Sequence, residues 1–166
     1  MAGVTVEAFN AWDEDDGSTR LRACLDVPRW ASELLGGRPY DSTADVLGRA
    51  RLVAATLTPA EVDAALARHP RIGERAGAGH DRAFSEAEQA GVDREDAAIA
   101  GALADGNAAY ESRFDRVFLI RAAGRPAEEI LAELRRRMTN TPDAERAEVI
   151  TQLREIALTR LETVLA

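Results

Sequence analysis

Apolar residues return at every third or fourth position through most of this chain, and each such stretch is bounded by a proline, a glycine or a capping side chain. Pro28 suits the first turn of a helix in which Trp30, Ala31, Leu34 and Leu35 form a stripe that stops at Gly36-Gly37. After a turn at Arg38-Pro39-Tyr40, Asp41 or Ser42 caps a longer helix carrying Val46, Leu47, Ala50, Val53, Ala54 and Leu57. Thr58-Pro59-Ala60-Glu61 joins a capping box to proline at the first helical position, predicting a helix through Val62, Ala65 and Leu66. It ends near His69, because Pro70 disfavours helical geometry in the residue before it.

Gly73, Gly77 and Gly79 predict an exposed loop beyond that point. From about Asp93, a helix is indicated by Ile99, Leu103, Asn107, Tyr110 and Phe114, with Asn107 the polar exception on its stripe. The apolar run Val117 to Ala123, closed by Gly124, reads equally as a strand or as buried extended chain, and one run cannot make a sheet. After Arg125-Pro126, Ile130, Leu131, Leu134 and Met138 form a helix that ends before Asn140. Thr141-Pro142 starts the last helix, with Val149, Ile150, Leu153, Ile156, Ala157, Leu161 and Val164 on its stripe. Arg160 lies one turn past Ile156, so a charge borders that buried face. No repeat or low-complexity tract divides the chain, and the expected fold is a single compact all-α domain of several short helices over residues 1–166.

With 166 residues and 46% hydrophobic content, the chain is long enough to bury a sizeable core. Its net charge of −8 argues against nucleic-acid binding, which needs a basic footprint to neutralise phosphates, and favours a small molecule or a protein as partner. All 21 basic residues are arginine. Schiff-base chemistry and covalent attachment of pyridoxal phosphate need a lysine amine, so neither is open to this chain acting alone. The single cysteine, Cys24, cannot form an internal disulfide and fits a reducing compartment. No basic segment precedes an apolar one at the N-terminus, and no apolar run reaches the ~20 residues of a membrane helix, so no membrane role is expected and the expected location is the cytoplasm.

Among chemistry-bearing residues His69 comes first. Imidazole exchanges protons near neutral pH, and a helix end beside a loop gives it access to a ligand, although a surface or capping histidine has the same spacing. His80 sits among glycines and carries no such signal. Ser85 and Glu88 have capping-box spacing, so by pattern alone they are a helix start, and Gln89 is ordinary on a helix surface. The interval from His69 to His80 is not the one-turn spacing that presents two metal ligands on a helix face. Arg160 has a planar fork able to bind two oxygens, or it is a stem packed at the edge of a core.

Taken in order, His69-Pro70-Arg71-Ile72-Gly73, Ser85 with Glu88-Gln89, Asn107-x-x-Tyr110-x-x-x-Phe114, and Phe118-Leu119-Ile120 with Ala123-Gly124-Arg125 resemble the motifs of the 2-oxo-4-hydroxy-4-carboxy-5-ureidoimidazoline (OHCU) decarboxylase family. Trp30-Ala31, Arg38-Pro39-Tyr40 and Arg160-Leu161 extend the resemblance over nearly the whole chain. It implies an all-helical, cofactor-free carboxy-lyase, usually a homodimer, that forms (S)-allantoin in urate degradation. Functional coupling with the preceding 5-hydroxyisourate hydrolase goes with that role. By position, His69 matches the catalytic histidine and Glu88 its acidic partner. Pro70, Ser85, Gln89, the segment Phe118, Leu119, Ile120, Arg121, Ala122 and Ala123, and Arg160 match substrate-binding positions. Two departures stand out. Asp115 occupies a place where the family commonly has glycine, and Arg121 replaces a small residue, its side chain then expected to point away. A helical interaction module without catalysis, and a metal-dependent ureide hydrolase with His69 and His80 as ligands, are the competing readings.

Overall fold

The computed structural model describes residues 3–72 and 97–166. The expected loop glycines Gly73, Gly77 and Gly79, the start of a helix near Asp93, and His80, Ser85, Glu88 and Gln89 lie outside the described residues. Among the described residues there are eight helices and no strand. They are α1 (Val6–Asn10), α2 (Glu14–Cys24), α3 (Pro28–Gly36), α4 (Thr43–Ala54), α5 (Pro59–Leu66), α6 (Ala97–Phe114), α7 (Ala127–Arg137) and α8 (Pro142–Leu165). Two compact units divide them: Met1–Ala65 with Arg154–Ala166, and Leu66–Leu153.

In the first unit the predicted starts hold in atomic detail. Ser42 Oγ accepts from Asp45 N at 3.2 Å, which makes Ser42 rather than Asp41 the cap of α4. The capping box before α5 closes in both directions, with Glu61 N donating to Thr58 Oγ1 at 3.3 Å and Thr58 N donating to Glu61 Oε2 at 2.8 Å. Two helices precede the first one that hydrophobic periodicity predicts. Helix α2 buries only Gly17, Leu21 and Cys24, so its apolar signal is thin. What starts it is the Asp13 carboxylate, which accepts from Asp15 N at 3.0 Å, and the acidic first turn of Glu14, Asp15 and Asp16 at the positive end of the helix dipole. Gly17 brings α2 close to α3, since a Cβ there would stand 2.8 Å from Leu35 Cδ2. Trp30, fully buried, donates its indole N–H to Ala50 O at 3.0 Å and ties α3 to α4.

The second unit is built on the stripe of α6. Leu103, Tyr110 and Phe114 join Ile72, Phe118, Ile120, Ala122, Ala127, Ile130, Leu131 and Leu134 in one core cluster. Gly106 lets α7 approach α6, because a Cβ there would sit 2.9 Å from Leu134 Cδ2. The chain leaves α6 through Asp115, whose φ of 53° is the left-handed conformation a glycine adopts without penalty, so the aspartate stands in a glycine's backbone geometry. The run after it is extended chain rather than a strand. Phe118, Ile120 and Ala122 alternate into the core cluster, and Gly124, at φ 75°, turns the chain toward α7.

Candidate functional site

His69 follows the end of α5 in a bend, half-buried, with its N–H donating to Leu66 O at 3.0 Å. Pro70, also half-buried, carries the chain out of the helical turn, and Ile72 then drops into the core cluster of the second unit. Two side chains of α6 meet this loop. Arg71 Nε and Nη2 donate to the two carboxylate oxygens of Glu111 at 2.5 and 2.8 Å, and Asn107 Nδ2 donates to the Ile72 carbonyl at 3.1 Å. The guanidinium of Arg71 holds the Glu111 carboxyl below its ordinary range, chiefly through these hydrogen bonds.

The extended segment is held from both sides. Arg137, 1% exposed, donates from Nη1 to Leu119 O at 2.6 Å, and its guanidinium carbon lies 4.6 Å from the centre of the Phe118 ring. Arg137 Nε donates to Glu145 Oε1 at 2.9 Å, and the Asn140 amide donates to Glu145 Oε2 at 2.8 Å. The Tyr110 hydroxyl donates to the same carboxylate, and burial, then that contact, push its phenol pKa up. On the other side, Arg121 N donates to Gln152 Oε1 at 2.8 Å. Arg125 N donates to Ala122 O at 3.0 Å and closes the turn. With no strand beside it among the described residues, this extended backbone is held by side chains, and the Arg121 amide is already engaged.

Of the residues singled out from the sequence, His69, Pro70 and Phe118 to Ala123 fall in the second unit, where Ile72, Phe118, Ile120 and Ala122 share one core cluster. Arg160 belongs to the first unit. It is 3% exposed and its Nη1 lies 3.4 Å from the Ala23 carbonyl in the last turn of α2, where a cation is favoured by the helix dipole. The Arg121 side chain is half-exposed. Sequence reasoning missed Arg137, Glu145 and Gln152. A signal for the first two existed, since Arg137 continues the stripe Ile130, Leu134 and Glu145 stands one turn before Val149. Gln152 carried none, lying beside the stripe rather than on it.

The described residues are thus all-α, with the His69 loop and the side-chain-locked segment from Phe118 to Ala123 in one unit. A family model described as OHCU decarboxylase matches residues 10–162. The chain belongs to the OHCU decarboxylase family and is a carboxy-lyase. Its fold is similar to that of an OHCU decarboxylase crystallised in the presence of (S)-allantoin, with a TM-score of 0.74 and 21% identity over 90% of this chain and 99% of that one. It is also similar to an (S)-allantoin synthase, with a TM-score of 0.71 and 16% identity over 98% of this chain and 54% of that one. No curated protein matches the chain.

Proposed function

We infer that this carboxy-lyase takes the carboxylate from OHCU and delivers (S)-allantoin, with His69 as the acid/base and Glu88 as its acidic partner. The observation that carries the reading is the packing of Ile72, three residues after His69, in the same core cluster as Phe118, Ile120 and Ala122. A proton-exchanging side chain and a backbone segment of binding type therefore belong to one packed unit. The family match supplies the reaction class.

In the substrate, the departing carboxylate sits on a carbon next to an imine-like carbon. Electrons released with carbon dioxide flow into the substrate's own ring, so the protein needs no amine or other external sink, in keeping with a lysine-free chain. What remains for the protein is to hold the carboxylate out of the ring plane, stabilise the enol-like intermediate and deliver one proton to one face. His69 exchanges that proton, with Glu88 as its acidic partner. Pro70, Ser85 and Gln89 line the substrate. The segment from Phe118 to Ala123 contributes amides other than that of Arg121, which Gln152 holds. Arg160 takes a carboxylate or carbonyl edge with its fork. A homodimer, a cytoplasmic setting and functional coupling to 5-hydroxyisourate hydrolase belong to the same proposal.

The test generates the unstable substrate in situ from urate and follows the optical activity of the allantoin formed. The protein accelerates appearance of the (S) form over spontaneous, racemising decay, and His69→Asn abolishes that excess while remaining folded. Turnover by His69→Asn close to that of the unmodified protein defeats the assignment.

A further inference from the structure

The loop that bears His69 is fastened to one helix at two consecutive residues. Arg71 is gripped side-on through Nε and Nη2 by the two carboxylate oxygens of Glu111, and Ile72 through its carbonyl by Asn107. Asn107 and Glu111 are four residues apart in α6, so they lie one above the other on a single helix face. Before His69, its own N–H is tied to Leu66 at the end of α5. Pro70 fixes φ between these anchors. The stretch from Leu66 to Ile72 is therefore held at both ends, with His69 between them.

Neither grip is what stability alone would choose. The Arg71 and Glu111 side chains are 46% and 25% exposed, and exposed ion pairs add little to folding free energy. Asn107 is 4% exposed, and its Oδ1 meets no donor among the described residues, a cost that an apolar residue on the same stripe avoids. What both side chains accomplish is position: a planar fork-to-fork pair and a buried amide fix where the loop runs, in direction as well as distance.

The geometry points to Asn107 and Glu111 as positioning residues that form a two-point clasp on the His69 loop and set the imidazole for proton transfer; this rests on His69 being the acid/base. Displacing a reacting group by a fraction of its bond reach slows the chemical step more than it weakens binding. The clasp therefore acts on kcat more than on KM, which shifts only as far as Pro70, one substrate contact among several, moves with the loop.

The experiment uses the full chain in the optical assay for (S)-allantoin, with thermal unfolding recorded for every variant. Glu111→Ala and Asn107→Leu each lower kcat about tenfold or more while KM stays within about twofold. Arg71→Glu is equally slow, and the exchanged pair Arg71→Glu with Glu111→Arg recovers to within about threefold of the parent, because the ion pair is restored with its charges reversed. Unchanged kcat in both single variants overturns the clasp, as does an exchanged pair that folds and stays as slow as Arg71→Glu. His69→Asn is the reference. If it is inactive while Glu111→Ala and Asn107→Leu run at full speed, the clasp alone falls; if it keeps full turnover, the acid/base assignment falls first.

Discussion

Replacing Arg137 by leucine strands a carboxylate in the core. Arg137 and Glu145 are each 1% exposed, and the guanidinium donates twice to Glu145 Oε1 and once to Leu119 O. Removing one member of a buried ion pair costs about 3–5 kcal/mol, because the survivor keeps its charge without its counter-charge. The Leu119 carbonyl, 2.6 Å from its donor in the native state, loses that partner as well, which adds about 1–3 kcal/mol where water does not replace it. The Tyr110 hydroxyl and the Asn140 amide still solvate Glu145, and the leucine returns some apolar burial. The expected net loss is about 4 kcal/mol, a large share of the folding free energy of a typical protein this size. At about 2–4 °C per kcal/mol, Tm falls by about 8–16 °C. Urea titration of Arg137→Leu, Glu145→Leu and the double variant measures it. The double variant is more stable than Arg137→Leu alone, since deleting the carboxylate removes the stranded charge. A loss below about 1 kcal/mol in Arg137→Leu, or a double variant less stable than that single one, refutes a charge buried and matched as described.

Two further outcomes follow from the backbone and from titration. Asp115→Gly raises Tm slightly, because glycine relieves about 1 kcal/mol of left-handed strain at φ 53° but loses part of it to a freer unfolded chain, whereas Asp115→Val lowers Tm; equal Tm values for glycine and valine contradict the strain. Glu61 is held down to about 2, first by its hydrogen bonds to Arg29, against an ordinary value of 4.5. Its contribution is thus fully present above that ordinary value and is lost as pH falls toward 2. The pair lies near the surface, so solvent screening limits it to about 1 kcal/mol or less. Glu61→Gln accordingly flattens the acid side of the stability profile, and a profile identical to the parent's shows that the pair does not contribute.

Helix starts were legible wherever a local group satisfied the first amides. Thr58 with Glu61 needed no tertiary information, Thr141 caps the helix that Pro142 begins, and Pro28 marks its helix without a cap, through the fixed φ and missing N–H of a first-turn proline. Helix α2 escaped periodicity because it buries a narrow face, though Asp13 and the acids after it marked its start. The extended chain from Phe118 to Ala123 was ambiguous for a physical reason: an apolar run reports burial, and whether a second strand lies beside it depends on residues far away in sequence. Asp115 shows the reverse. Where the family resemblance leads one to expect glycine, the chain has aspartate in the left-handed conformation that favours glycine, which aspartate tolerates at some cost.

The candidate site divides along the same line. Among the described residues the buried polar side chains are Asn107, Arg137, Glu145 and Arg160, and each interrupts or borders an apolar stripe. Sequence alone therefore determined the helices from α3 onward, their apolar faces, and Asn107 and Arg160 as polar groups on or beside those faces, because periods of 3.6 residues and caps act over a few residues; α1, α2 and the inward turn of Arg137 and Glu145 were not read from it. It also determined membership of the OHCU decarboxylase family, whose model matches residues 10–162. Only the tertiary structure decided which distant group each polar residue meets: Asn107 with Ile72, Arg137 with Glu145 and Leu119, Gln152 with Arg121. Those pairings span 8 to 35 residues, and nothing local selects among the acceptors of a chain that long until packing brings one of them within hydrogen-bond reach.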